Sequence, residues 1–235
     1  MLNVNLMLKK ELLDRLNYRC KHRHNGMASG HPTCYFKARE HGERIGFLDI
    51  ESGGSLDADW GFVLTYCIKV LGEDKIYSSS ITPEEVRAPL MAGGTKDKRL
   101  LEQFCKDVWN FDTLVVYYGR DGSGKWQRHD IPFLRTRCAR WGVKGFPEQK
   151  QIQVIDLFDI VSGKFKLSRR SMANACRLFG IKAKGLPFNV EVWQDSLAGH
   201  QPAMDYIMKH NIQDVRSTEE LYKKIIKYKG NRRKI

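Results

Sequence analysis

The chain has 235 residues and 42% hydrophobic content, enough for one packed domain with a small appendage, which excludes a wholly disordered protein. Lys and Arg number 40 against 27 Asp and Glu, a net charge of +13 that favours polyanionic partners such as DNA, RNA or an anionic surface. No apolar run approaches the ~18 residues of a membrane span, and the start, Met1 to Lys10, lacks the basic region and cleavage site of a signal peptide, so the sequence reads as cytoplasmic with no membrane partner.

Taken in chain order, leucines at 6, 8, 12, 13 and 16 among charges predict a short amphipathic helix over 6–18. Residues 20–36, rich in Cys, His, Gly and Pro, predict an irregular loop. Residues 1–40 thus form an N-terminal element ahead of a main domain over 41–228, with a basic tail over 229–235. A strand is expected over 44–51, a Ser-Gly-Gly-Ser turn over 52–55, a β-branched and aromatic strand over 60–70 and a third near 75–77. Thr95 is suited to cap a helix running to about Trp109. A buried strand follows over 113–119, then a polar loop from Arg120 to Arg128, then a helix over 131–141 with Pro132 in its first turn. Residues 151–157 read as a strand, and Ser168 is suited to cap a basic helix over 169–178 ended by Gly180. Pro202 opens a final helix reaching about Tyr228. Strands first, then strand and helix in alternation, give an α/β fold with a mixed sheet flanked by helices.

Within this pattern four carboxylates are singled out: Asp49, Glu51, Asp130 and Asp214. In a strand, residues two apart point the same way, so Asp49 and Glu51 share a face. They suit a shared cation, or they are two solvated acids at a strand end. Asp130 opens a helix before Pro132, where it is either a helix cap or a member of an acidic cluster. His210 and Asp214, four apart, share a face of the last helix. By itself that pair is a helical ion pair. Beside three other acids, the histidine is placed to deprotonate a metal-bound water. Clustered carboxylates repel one another unless cations lie between them, which suggests two-metal phosphoryl-transfer chemistry in a basic chain.

This ordered set resembles the DEDD superfamily of 3′→5′ exonucleases, which has the ribonuclease H-like fold. The likeness extends to Tyr117-Tyr118-Gly119 followed by His129-Asp130-Ile131-Pro132-Phe133-Leu134, and to the stretch from Lys166 to Ile181, and covers about residues 44–226. The family divides by its general base, with Tyr four residues before the last Asp in one branch and His five before it in the other. Here His210 stands four before Asp214, so the spacing follows the tyrosine branch and the residue type the histidine branch. The resemblance implies Asp49, Glu51, Asp130 and Asp214 as ligands of two Mg²⁺ or Mn²⁺ ions, one activating water and the other stabilising the leaving 3′ oxygen. It implies His210 as a catalytic group and a single-stranded 3′ end of DNA or RNA as substrate. Asp156 is a fifth acid, suited to capping the next helix or to supporting the site from outside.

Outside that region, Cys20, His22, His31 and Cys34, with His24 as an alternative, lie within 15 residues and suit one structural Zn²⁺, or they belong to an ordinary basic loop. Cys67, Cys105, Cys138 and Cys176 lie singly in apolar stretches and read as small core residues or free thiols. Lys166, Arg169 and Arg170, with Lys164, Lys182 and Lys184, are placed to follow a phosphate backbone or form a solvated face. Trp60 is placed to stack a terminal base or to join the core. Two other readings fit these residues: a nucleic-acid-binding module that does not cut, and a structure-specific endonuclease.

Overall fold

The computed structural model describes residues 18, 43–90, 95–121, 128–148, 151–182, 186–187 and 189–229. Residues 6–17 of the expected helix, the residues Cys20, His22, His24, His31, Cys34 and Lys184, and the basic tail beyond Lys229 lie outside them.

Strand β1 (Ile45–Gly53) organises the sheet. Its alternation splits it between two cores. Leu48 and Ile50 join Leu64, Tyr66, Ile68, Leu100, Phe104 and Leu134 on one side. Phe47 joins Cys67, Val115, Val215, Leu221 and Ile225 on the other. Asp49 and Glu51 share the parity of Phe47 and therefore its face. Strand β2 (Phe62–Val70) is buried along its whole length and pairs antiparallel with β1 and with β3 (Ile76–Ser80). Strand β4 (Thr113–Val116) runs parallel to β1 on its other edge, and β5 (Gln153–Asp156) parallel to β4. The strand order is β3-β2-β1-β4-β5, a mixed five-stranded sheet of the ribonuclease H-like kind.

Helices α1 (Pro83–Arg87), α2 (Lys98–Asp107), α3 (Asp130–Trp141), α4 (Leu157–Lys164), α5 (Met172–Leu178), α6 (Val190–Leu197) and α7 (Gln201–Ile225) flank it. Helix α7 is bound to the sheet by polar as well as apolar groups. Asn211 Nδ2 donates to Thr65 Oγ1 at 2.9 Å, and Lys69 and Glu219 form a buried ion pair at 2.5 Å. On the opposite face Asp97 and Arg137 join α2 to α3 with two hydrogen bonds, at 2.7 and 2.9 Å, while Asp97 also accepts from Val63 N–H and Trp141 Nε1. Among the described residues no helix is long and apolar enough to cross a membrane.

Two helix starts differ from the sequence expectation. Helix α2 begins at Lys98 and not at Thr95, with the Asp97 carboxylate turned inward to Arg137 instead of capping. Helix α5 begins at Met172 because Ser171, not Ser168, accepts the Asn174 N–H, while the Asn174 amide holds the Arg169 carbonyl outside the helix. Arg169 and Arg170 therefore precede the helix. Helices α1, α4 and α6 add to the expected set. The four cysteines expected as core residues are buried free thiols, with Cys105 and Cys138 sulfurs 3.8 Å apart.

Candidate active site

Asp49 and Glu51 lie on β1 just ahead of a break in register. Glu51 pairs with Thr65 and Ser52 with Val63, so Leu64 is an extra residue and the ladder bulges immediately after the second acid. Such bulges bend a strand and re-aim side chains beside it. Across the ladder, burial and then the negative charges of Asp49 and Glu51 push the Cys67 thiol up, which keeps it protonated and donating to Met208 Sδ. Asn211 Nδ2 also reaches the Asp49 carbonyl at 3.4 Å, which sets α7 against β1 at this point.

Asp130 is delivered by the loop after β4. Tyr118 takes a left-handed conformation, φ 63°, uncommon for a residue with a side chain. Asp156 holds that turn. Its carboxylate accepts the N–H groups of Tyr118, Gly119 and Arg120 at 2.9, 3.0 and 3.1 Å, and of Phe158 at 2.9 Å. Arg128 Nη1 approaches the same carboxylate at 2.7 Å. The chain then returns antiparallel to itself, with His129 N–H on the Tyr118 carbonyl and Ile131 N–H on the Gly119 carbonyl. Asp130 becomes the first residue of α3, without the capping role that its position before Pro132 allows, since the cap is His129. Only 4% of Asp130 is exposed, and its Oδ2 has no hydrogen-bond partner among the described residues. Burial, then the negative charges of Asp49 and Asp156, hold its carboxyl well above the usual range. A carboxylate in that setting suits a cation.

His210 and Asp214 meet Glu51 from α7. His210 Nε2 lies 3.5 Å from Glu51 Oε1 and 3.9 Å from Asp214 Oδ2. Donor atoms of all three residues fall within 4.8 Å of one another. The other ring nitrogen, Nδ1, is 2.7 Å from the Leu186 carbonyl. A carbonyl only accepts, so Nδ1 carries a proton, and the ring turns Nε2 toward the two carboxylates. Trp193 packs edge-on against the imidazole with ring centroids 5.4 Å apart.

The structure brings His210 and Asp214 to Glu51, while the charge of Asp49 bears on the buried Asp130 carboxyl. Clustered carboxylate oxygens suit a divalent ion such as Mg²⁺ or Mn²⁺. The expected substrate contacts are more scattered. Trp60 is 63% exposed in the β1–β2 connection, which removes its reading as a core residue. Arg137 Nη1 holds that connection through the Ala58 carbonyl at 3.2 Å. Lys166, Arg169 and Arg170 are exposed between α4 and α5, where the Tyr117 hydroxyl holds the Arg170 carbonyl at 2.5 Å. Sequence reasoning passed over Gly119, Arg128, Asn211 and Leu186, whose parts are set by contacts distant along the chain.

The RNase_H_2 family of the RNase_H superfamily matches residues 46–226, and the chain belongs to that superfamily. Among solved structures it is similar to the family B DNA polymerase from the hyperthermophilic archaeon Pyrobaculum calidifontis, at 20% identity and a TM-score of 0.57 over 80% of this chain. The chain spans 25% of that polymerase's length, and at this identity the likeness is one of fold. No curated protein matches the chain significantly. Membership of the superfamily supports a nuclease-type function and a nucleic-acid partner.

Proposed function

We propose that the chain is a divalent-metal-dependent 3′→5′ exonuclease of the DEDD type, acting in the cytoplasm on DNA or RNA. The observation that carries this reading is the buried carboxylate of Asp130 beside Asp49, at the strand end where Glu51, His210 and Asp214 also meet. So much negative charge in so little space needs cations.

In this reading Asp49, Glu51, Asp130 and Asp214 hold two Mg²⁺ or Mn²⁺ ions. Divalent ions there supply the Lewis acidity that phosphodiester hydrolysis requires. The oxygen of water joins phosphorus, the 3′ oxygen of the preceding nucleotide leaves, and a nucleoside 5′-monophosphate is released. His210 turns Nε2 to the same space, its ring held by the Leu186 carbonyl. Trp60 is exposed and free of the core, which suits it to stack on a terminal base of a single strand. Lys166, Arg169 and Arg170 supply charge for the backbone. The domain over 41–228 carries the reaction, and Cys20, His22, His31 and Cys34 hold a structural Zn²⁺ ahead of it.

The test is cleavage of end-labelled single-stranded DNA and RNA with Mn²⁺, comparing the wild type with Asp49→Ala. A ladder shortened from the 3′ end, reduced at least about 100-fold in the variant, is expected. Labelled strands that stay intact but shift on a native gel would leave a binding module on the same scaffold. Cutting of a circular strand would mark an endonuclease.

A further inference from the structure

We infer that His210 is itself a metal ligand through Nε2, which gives the site a nitrogen donor and a preference for Mn²⁺-like transition ions over Mg²⁺. The inference rests on the divalent-ion reading above, but not on cleavage.

Three features of the pocket carry it. The first is spacing. Bonds of about 2.1 Å from one ion place two donor atoms about 3.0 Å apart at a right angle and about 4.2 Å apart in line. Nε2 stands 3.5 Å from Glu51 Oε1 and 3.9 Å from Asp214 Oδ2, inside that range. The second is orientation. With Nδ1–H given to the Leu186 carbonyl at 2.7 Å, Nε2 is the ring nitrogen that faces the carboxylates. Metal-binding histidines are commonly oriented by such a bond from their other nitrogen.

The third feature is the support of that carbonyl. Leu186 N–H donates to Gln213 Oε1 at 3.2 Å, and the Tyr206 hydroxyl donates to the Pro187 carbonyl at 2.7 Å. Tyr206, His210 and Gln213 occupy successive turns of α7 and together hold the Leu186–Pro187 segment against the helix. With Trp193 against the ring, the imidazole is fixed in one orientation. Imidazole nitrogen favours transition ions, while Mg²⁺ keeps to oxygen.

Pulsed EPR of the full chain loaded with Mn²⁺ tests this directly. A ¹⁴N modulation from a coordinated imidazole is expected, and it should vanish in His210→Ala and in His210→Glu. The glutamate variant keeps a donor at the position, so it should still bind Mn²⁺, with the Mn²⁺ to Mg²⁺ affinity ratio reduced about tenfold. Circular dichroism establishes that each variant is folded. Bound Mn²⁺ without ¹⁴N modulation, modulation that persists in both variants, or no Mn²⁺ binding by the wild type would each overturn the assignment. Cleavage assayed on the same samples separates the two readings. Modulation without cleavage keeps the ligand and sinks the exonuclease, and cleavage without modulation does the reverse.

Discussion

Gly119 lies so close to Asp130 that a Cβ on the glycine would overlap the Asp130 carboxylate oxygen and sit 2.7 Å from its Cγ. The requirement for glycine is therefore one of space. Gly119→Ala should push the carboxylate out of place while the hydrogen bonds of the loop persist. Overpacking of this kind costs about 1–3 kcal/mol of stability. A displacement on the order of 1 Å at a reacting centre costs about 100-fold in rate. We expect a folded variant with Mn²⁺ affinity and cleavage both sharply reduced, read by calorimetry and by the end-label assay. An alanine variant with wild-type metal affinity would show that Asp130 adjusts freely.

Asp156 acts on the same loop from β5. Its carboxylate accepts four backbone N–H groups and faces Arg128, whose guanidinium also lies over the Phe158 ring at 4.6 Å. Asp156→Ala leaves those donors and a mostly buried cation without their acceptor. Removing one member of a buried charged network costs about 3–5 kcal/mol, and urea unfolding should show a loss of that size. Asp156→Asn keeps the shape but turns half of the group into a donor facing other donors, so it should recover only part of the loss. Near-complete recovery would mean that shape and not charge holds the turn.

The sheet was largely legible in the sequence because β2 and β4 are apolar, β-branched runs and β1 is an apolar run that ends in its two acids. All five fall where pattern reading puts them, within a few residues. Asp49 and Glu51 were legible for the same reason, and His210 with Asp214 through helical spacing. Three helices were not. Helix α4 follows β5 with no intervening loop, so no turn signal separates them, although Asp156 caps the helix as its position allows. Helix α1 is only five residues long, although its capping box, Thr82 with Glu85, is written in the sequence. Helix α6 starts at Asn189, whose side chain accepts from Glu191 and Val192 N–H. The supports of the site were hidden for a different reason. Gly119 meets Asp156 across 37 residues, and His210 meets the Leu186 carbonyl across 24, contacts that no local period encodes.

Burial of Asp130 predicts a trade between function and stability. Its carboxyl is held above the ordinary value by burial and by Asp49 and Asp156. Unfolded, such a group titrates near about 3.9. Below that value both states are protonated and no penalty exists. As pH rises past it, the unfolded chain gives up the proton more readily and the fold loses stability until the native group also ionises. In metal-free protein Asp130→Asn should therefore be more stable than the wild type at pH 8, by about 1–3 kcal/mol, and equal to it near pH 3. Mn²⁺ should raise the melting temperature of the wild type more than that of the variant. A variant less stable than the metal-free wild type at pH 8 would show that the ionised carboxylate is already compensated.

Glu219 titrates in the opposite direction and lies five residues beyond Asp214 on α7. Burial alone would push its carboxyl up, but hydrogen bonds from Lys223, Lys69 and the Gly72 N–H outweigh that and hold it below the usual value. A carboxyl depressed in the fold contributes stability that is complete above its unfolded value, about 4.3, and is lost as pH falls through the folded one. Glu219→Gln leaves the nearly buried Lys69 ammonium, which also donates to the Glu73 carbonyl at 2.6 Å, without its counter-charge. At pH 7 the variant should lose about 3–5 kcal/mol. Urea titrations at successively lower pH should show that deficit shrinking below about 4.3, as the wild-type carboxyl takes up its proton and comes to resemble the amide. A deficit that stayed constant from pH 7 to pH 3 would locate the loss in packing and not in the ion pair that fastens α7 to the sheet.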